Sequence, residues 1–129
     1  MAAASILVVD DYEDALEIYQ RYLTFKGFHV ITAKSGVEAI AMAHAYRPQL
    51  VLMDIEMPRM SGTAAMRTLR ADPAFDQVPI VAFTAHALED EKEAAHKAGF
   101  DEVIAKPCLL AELLAGVERL LATPRIQSS

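Results

Sequence analysis

Carboxylates, a hydroxyl and an amine stand directly after apolar runs in this sequence, at positions where loop residues can do chemistry. The runs and the side chains that follow them are 6–9 with Asp10 and Asp11, 50–53 with Asp54, 79–83 with Thr84, and 103–105 with Lys106. A carboxylate is costly to bury unpaired, so Asp54 is either a capping residue of a loop or a placed reactive group. For Asp54 alone capping is the commoner role, and the other four side chains reverse that preference.

The elements that must position these side chains alternate between strand and helix along the chain. Apolar or β-branched runs predict strands at 6–9, 28–33, 50–53, 79–83 and 103–105. Helical spacing, caps and stop signals predict helices at about 13–26, 36–47, 62–71, 88–98 and 110–121. The alternation implies parallel strands joined by right-handed crossovers. We therefore predict an α/β fold, a doubly wound five-stranded parallel sheet with five helices on its two faces.

The carboxyl ends of parallel strands meet at one edge of a sheet, and ligands bind there in folds of this type. The five polar side chains therefore converge on one site. Three carboxylates close together repel by roughly 3 kcal/mol per pair at an effective dielectric constant of about 20, and a divalent cation removes that repulsion. Because the available ligands are oxygens rather than His or Cys, we expect Mg²⁺.

A cation, the Lys106 ammonium and the Thr84 hydroxyl around one carboxylate are what an incoming phosphoryl group requires. Its oxygens are held from three sides while an oxygen of Asp54 attacks in line. The predicted reaction is therefore phosphorylation of Asp54. The added negative charge can draw Thr84 and its loop inward.

Composition limits the classes of function. The chain has 129 residues, 53% of them hydrophobic and 23% charged, which fits one domain over 1–129 with a core at about 6–121 and a frayed tail at 123–129. A net charge of −6 disfavours nucleic acid as a partner. The single Cys108 fits a reducing compartment. Without a signal-length or membrane-length apolar run, we expect a cytoplasmic protein with no membrane contact.

A set of short motifs spread over the chain resembles the receiver domain of bacterial two-component response regulators. The motifs are Asp10-Asp11, Asp54 with Met57-Pro58 and Gly62, Thr84-Ala85, and Lys106-Pro107. The resemblance covers roughly 6–121 and implies a flavodoxin-like sheet of strand order 2-1-3-4-5. It also implies that a histidine kinase or histidine phosphotransfer protein is the phosphoryl donor and that output passes through contacts with a downstream protein.

The same resemblance implies a role for each motif residue. Asp54 is the phosphoacceptor, and the Mg²⁺ ligands are Asp11, Asp54, the backbone carbonyl of Glu56 and, directly or through water, Asp10. Lys106 pairs with the phosphoryl group, and Thr84 reports its arrival. The peptide bond between Lys106 and Pro107 is expected to be cis.

Three positions bear on switching and on the lifetime of the phosphoryl group. Many receivers carry Tyr or Phe three residues before the lysine, where this chain has Val103, so the relay from threonine to an aromatic ring is in doubt. We predict output through the loop at 84–88 and the fourth helix instead. Glu56 and His86 occupy tuning positions of the family, and we hypothesise that they lengthen the phosphoryl lifetime. The alternative is two surface residues without kinetic effect.

Several alternatives stay open from the sequence. The chain is either a terminal switch or a phosphorelay shuttle, and the stretch 84–87 slightly favours the shuttle. Homodimerisation through the fourth helix, the fifth strand and the fifth helix is also open. A hydrolase of the aspartyl-phosphate type is disfavoured. Such hydrolases carry a second acid two residues after the first, whereas Asp10 and Asp11 are adjacent in this chain. A flavin-binding module is disfavoured because the acids after the first strand would repel its phosphate.

Overall fold

The computed structural model describes residues 3–85, 87–106 and 109–123, and all five predicted strands and five predicted helices are present. The strands are β1 (Ser5–Val9), β2 (His29–Ala33), β3 (Leu50–Met53), β4 (Ile80–Thr84) and β5 (Glu102–Ala105). The helices are α1 (Glu13–Phe25), α2 (Gly36–Tyr46), α3 (Gly62–Arg70), α4 (Glu89–Ala98) and α5 (Leu110–Ala122). A 3₁₀ turn at Pro73–Phe75 is the one addition among the described residues.

The five strands form one parallel sheet in the order β2-β1-β3-β4-β5, which confirms the predicted α/β fold. Strand β1 lies between β2 and β3, with Val9 opposite both Ala33 and Met53. Beyond β3 in the same sheet, Thr84 of β4 lies opposite Ala105 of the edge strand β5. This register brings the carboxyl ends of the strands to one edge, as the parallel arrangement requires.

Both faces of the sheet are covered, because successive strand side chains enter two different apolar clusters. Helices α1 and α5 cover one face with residues such as Leu23 and Leu113. Helices α2, α3 and α4 cover the other face with residues such as Met66 and Ala95. Every residue of β3 is buried, which explains why its sequence shows no alternation with polar residues.

Side-chain oxygens accept hydrogen bonds at the starts of α2, α3 and α4. The Ser35 hydroxyl accepts a hydrogen bond from the Glu38 N–H at 3.1 Å, and the Ser61 hydroxyl does the same for α3 at 3.1 Å. At α4, which lacks a capping hydroxyl, the Glu91 carboxylate instead accepts the Leu88 N–H at 3.0 Å. These bonds anchor the loops that lead from the strand ends into the helices.

The unpredicted 3₁₀ turn has a local cause. The Asp72 carboxylate accepts the Ala74 N–H at 2.9 Å, so the Asp-Pro pair that ends α3 also starts a new turn.

Within the described ranges no helix is both long and apolar enough to cross a bilayer. Of the predicted tail at 123–129 only Thr123 is described, and the fraying of that tail stays a prediction.

Candidate functional site

The acids that follow β1 and β3 come together at the carboxyl edge of the sheet. Carboxylate oxygens of Asp10, Asp11 and Asp54 all lie within 4.8 Å of one another. Asp10 is only 3% exposed, Asp54 is partly buried and Asp11 is exposed. The cluster therefore runs from the protein interior at Asp10 to the solvent at Asp11.

Backbone hydrogen bonds continue the sheet past the strand ends and fix the two inner acids. The Asp10 N–H donates to the Ala33 carbonyl at 3.1 Å, and the Asp54 N–H donates to the Val9 carbonyl at 3.0 Å. Each carboxylate then accepts a bond from the N–H two residues later, at 2.9 Å for Asp10 and 3.3 Å for Asp54. The orientation of both carboxylates is thus set by their own loops.

Lys106 brings the positive charge of the site. Its backbone N–H donates to the Thr84 carbonyl at 2.9 Å, which fixes the lysine beside the end of β4. Its ammonium forms an ion pair with the Asp10 carboxylate and lies 3.7 Å from Oδ2 of Asp54. The lysine side chain is 17% exposed, so these charges interact in a setting that is largely shielded from water.

The electrostatic balance at Asp54 is set by opposing effects. Burial raises the pKa of the Asp54 carboxyl above its ordinary value, and the nearby Lys106 ammonium lowers it. Repulsion from Asp10 raises the pKa of Asp54 further, and Asp11 adds to that rise. Burial and repulsion prevail over the ammonium and over the hydrogen bond from the Glu56 N–H, so the pKa of Asp54 is raised on balance. Three carboxylates share the one ammonium of Lys106, so the cluster holds more acidic groups than this lysine can neutralise.

The remaining predicted site residues lie at the ends of β4 and β5 or beside the cluster. Thr84 is fully buried and Ala85 is exposed. Val103 is partly buried and packs against the apolar cluster under α2, α3 and α4. Glu56 is exposed, with its N–H on the Asp54 carboxylate.

Two predicted residues, His86 and Pro107, lie outside the described residues. The proposed effect of His86 on phosphoryl lifetime and the cis peptide before Pro107 therefore stay predictions.

Sequence reasoning named Gly62 only as part of a motif and missed its structural function. A Cβ built on Gly62 would lie 1.9 Å from the carbonyl oxygen of Asp54, and the Gly62 N–H donates to the Ile55 carbonyl at 2.8 Å. The loop that carries Asp54 therefore closes onto the start of α3, backbone against backbone. Glycine is required at this position by close approach.

Sequence reasoning also missed two aromatic rings at the site. The Lys106 ammonium lies 5.0 Å from the ring centroid of Phe83 and 5.8 Å from that of Tyr19. The residue before Thr84 was visible as an aromatic on a buried strand. Its contact with a lysine of another strand depends on the register of β4 and β5, which the sequence does not specify directly.

The donor set fits a hard divalent cation. It consists of three carboxylates, two of them held by backbone bonds, with no nitrogen or sulfur ligand among them. In the ranges that the structure describes, no other group of three or more such side chains is close enough to share an ion. The excess negative charge at the cluster favours such a cation.

Comparison with known proteins gives a consistent result. The model of the response regulator receiver domain family matches residues 6–118. The transcriptional regulatory protein PrrA of Mycobacterium tuberculosis is 40% identical over 116 residues, which are 90% of this chain and 49% of PrrA. The chain thus spans about half the length of that relative.

Two further similar proteins are matched over nearly their whole length. The polar-differentiation response regulator DivK of Brucella anthropi is 28% identical over 117 residues, which are 91% of this chain and 95% of DivK. The receiver domain of the sensor histidine kinase PA1611 of Pseudomonas aeruginosa superposes with a TM-score of 0.87 at 32% identity, over 95% of this chain and 100% of that one. That structure has a magnesium ion coordinated in its active-site cleft.

Proposed function

The chain belongs to the response regulator receiver domain family, and from this premise we propose that Asp54 accepts a phosphoryl group from a phosphohistidine of a donor protein. The observation that carries the proposal is the position of Lys106, whose ammonium lies 3.7 Å from the Asp54 carboxylate at the edge of the acidic cluster. Members of this family are signalling phosphoacceptors rather than classical enzymes. The hydrolase alternative is accordingly not favoured.

In the proposed reaction an Asp54 oxygen attacks the phosphorus of the donor. A P–O bond forms as the P–N bond breaks, and the electron pair of that bond returns to the imidazole, which takes up a proton. Lys106 balances charge on the phosphoryl oxygens, and the Thr84 hydroxyl donates to one of them. When bound by Asp10, Asp11, Asp54 and the Glu56 carbonyl, Mg²⁺ would neutralise part of the same charge.

The proposed switch starts at Thr84. The threonine is buried at the end of β4, and its carbonyl accepts the Lys106 N–H, so a movement of this residue affects both loops. Val103 is partly buried against the apolar cluster and carries no aromatic ring that could reorient. We therefore place the output at the loop 84–88 and α4, and we expect phosphorylation to shift the amide NMR signals of α4. Shifts confined to the loops around Asp54 would contradict this output path.

The lifetime of the phosphoryl group is the second proposed property. Glu56 is exposed next to the acceptor, where its charge repels or misorients an attacking water molecule. With His86, it is proposed to slow autodephosphorylation. Faster decay is expected in Glu56→Asn and His86→Glu variants, measured as loss of phosphoprotein after removal of the donor. Equal decay in all three proteins would leave both residues without a kinetic function.

The proposed partners are a histidine kinase or a histidine phosphotransfer protein and one downstream protein. The near-complete match to DivK supports a chain that works as a single receiver domain, and the half-length match to PrrA is equally compatible with a receiver within a longer regulator. The likeness to the PA1611 receiver domain supports the relay version. Homodimerisation stays a prediction, and sedimentation with and without a phosphoryl analogue tests it.

The phosphoacceptor is tested by incubating the purified chain with Mg²⁺ and acetyl phosphate and measuring its intact mass. We expect a gain of one phosphoryl group in the unmodified chain and in Asp14→Asn, which changes an exposed acid at the start of α1 outside the cluster. No gain is expected in Asp54→Asn or after chelation of the cation. A phosphorylated Asp54→Asn protein would refute the assignment. Transfer from purified kinases to the unmodified chain is a separate experiment that identifies the donor.

A further inference from the structure

Two aromatic rings lie close to the ammonium of Lys106, one of them buried and the other half-buried. Phe83 of β4 is 2% exposed, and its ring centroid lies 5.0 Å from Nζ of Lys106. Tyr19 of α1 lies 5.8 Å from the same atom, and the two rings meet edge to face with centroids 4.8 Å apart. Both distances are within the range in which a ring face attracts a cation.

The strands bring these groups to the same side of the sheet. Phe83 and Ile104 are paired across β4 and β5 and belong to the apolar cluster under α1 and α5. Lys106 follows Ile104 by two residues, so strand alternation continues its side chain onto that face. Tyr19 packs against the same cluster from α1. The ammonium therefore has carboxylates at the site and π-faces toward the core.

We propose that Tyr19 and Phe83 are positioning residues that hold the Lys106 ammonium within reach of the acceptor carboxylate. The proposal rests on the proposed function, because it assigns these rings to phosphorylation of Asp54. The ammonium is shared between Asp10 and Asp54, and contact with a phosphoryl group requires it to shift from Asp10 toward the new oxygens. The rings attract the charge throughout this movement without competing for its hydrogen bonds, since a π-face accepts no strong one.

The central test compares three variants of α1. Tyr19→Leu removes the π-face and keeps an apolar side chain, Tyr19→Phe keeps the ring, and Tyr22→Leu changes a tyrosine that packs on the same cluster but lies near Lys26 instead. We expect the rate of phosphorylation by acetyl phosphate to fall about three- to tenfold in Tyr19→Leu, the order of a partly desolvated cation–π contact. Tyr19→Phe and Tyr22→Leu are expected to stay within twofold of the unmodified chain.

A double-mutant cycle separates positioning from general damage to the fold. In a Lys106→Ala background the Tyr19→Leu change is expected to cause no further loss of rate, because the charge that the ring attracts is gone. An equal loss with and without the lysine would overturn the proposal. So would equal losses in Tyr19→Leu and Tyr22→Leu.

A second measurement does not need phosphorylation. Ring currents of Phe83 and Tyr19 are expected to shift the ε-methylene protons of Lys106 upfield in the resting protein. The shift should shrink in Tyr19→Leu and persist in Tyr19→Phe and Tyr22→Leu. Unshifted protons in the unmodified chain would refute the contact itself. If the protons are shifted but the Asp54→Asn protein is still phosphorylated, the proposed function of Asp54 is refuted, whereas the contact between the rings and Lys106 is confirmed.

Discussion

Replacing Gly62 with alanine would place a methyl group where the structure has no space. The added Cβ would lie 1.9 Å from the Asp54 carbonyl oxygen, 2.8 Å from the Asp54 carbonyl carbon and 2.9 Å from the Ile55 Cα. All three neighbours are backbone atoms, so no side-chain rotation relieves the clash. The loop that carries the acceptor and the start of α3 must move apart.

The size of the effect follows from that displacement. Real Cβ atoms essentially never come closer than 3.0 Å, so the two segments must separate by about 1 Å or more. This movement also weakens the 2.8 Å bond from the Gly62 N–H to the Ile55 carbonyl. Overpacking of well-packed sites costs about 1–3 kcal/mol where side chains can adjust, and we expect a loss of about 3 kcal/mol or more here, because backbone must adjust.

Urea denaturation of Gly62→Ala, followed by far-UV circular dichroism, measures the change in the free energy of unfolding. The matched control is Gly116→Ala in α5, where the added Cβ would lie 3.3 Å from Cδ1 of Ile104, the movable end of a side chain. We expect the control to change the free energy of unfolding by about 1 kcal/mol or less, because alanine favours the helix and the side chain can yield.

Gly62→Ala is also expected to lose phosphorylation more than stability alone explains. The clash acts on Asp54 itself, and its carboxylate lies only 3.7 Å from the Lys106 ammonium. At a temperature where the variant is still folded, acetyl phosphate should label it far more slowly than the Gly116→Ala control. Gly62→Ala with unchanged stability and unchanged labelling would refute the close-approach reasoning.

Two further predictions concern stability, both measured by urea denaturation. Ser35→Ala removes the side chain that caps the Glu38 N–H and should lower the free energy of unfolding by about 1 kcal/mol. Ser35→Asp keeps a capping oxygen and should retain most of that stability. Equal losses in both variants would contradict the capping function. Asp101→Ala should cost about 3 kcal/mol, because Asp101 pairs with the shielded Arg70 and accepts the Ile80 N–H at 2.8 Å. A loss below about 1 kcal/mol would mean that this pair contributes like an exposed one.

Most of the fold could be predicted because its local signals were strong, although the fourth helix has a weak apolar stripe and was indicated mainly by its charges. The run at 50–53 is apolar throughout and lies between prolines, and as β3 it is buried on both faces. The apolar spacing of α5 and the serines before α2 and α3 likewise gave helices at nearly the observed positions. The convergence of the three acids was predictable from the fold, because parallel strands have their carboxyl ends at one edge of the sheet.

Features that depend on distances between separate elements could not be predicted in this way. The clash that makes glycine necessary at position 62 involves a carbonyl eight residues earlier, which the hydrophobic pattern does not report. The contact of Lys106 with Tyr19 and Phe83 needs the register of two strands and the rotation of α1 together. The 3₁₀ turn after α3 was missed because an Asp-Pro pair signals a helix end and a new start with the same residues.

The sharing of Lys106 between two carboxylates follows from their burial. Asp10 is the more deeply buried acid, and an unpaired charge costs most where water is scarcest, so the ammonium pairs with Asp10. Asp54 keeps the ammonium at 3.7 Å and is compensated only in part, which is why burial still raises the pKa of Asp54. The least compensated carboxylate of the pair is therefore the one proposed to react. The Lys106 ammonium, which can compensate that charge, lies 3.7 Å from Asp54 and has two aromatic rings beside it.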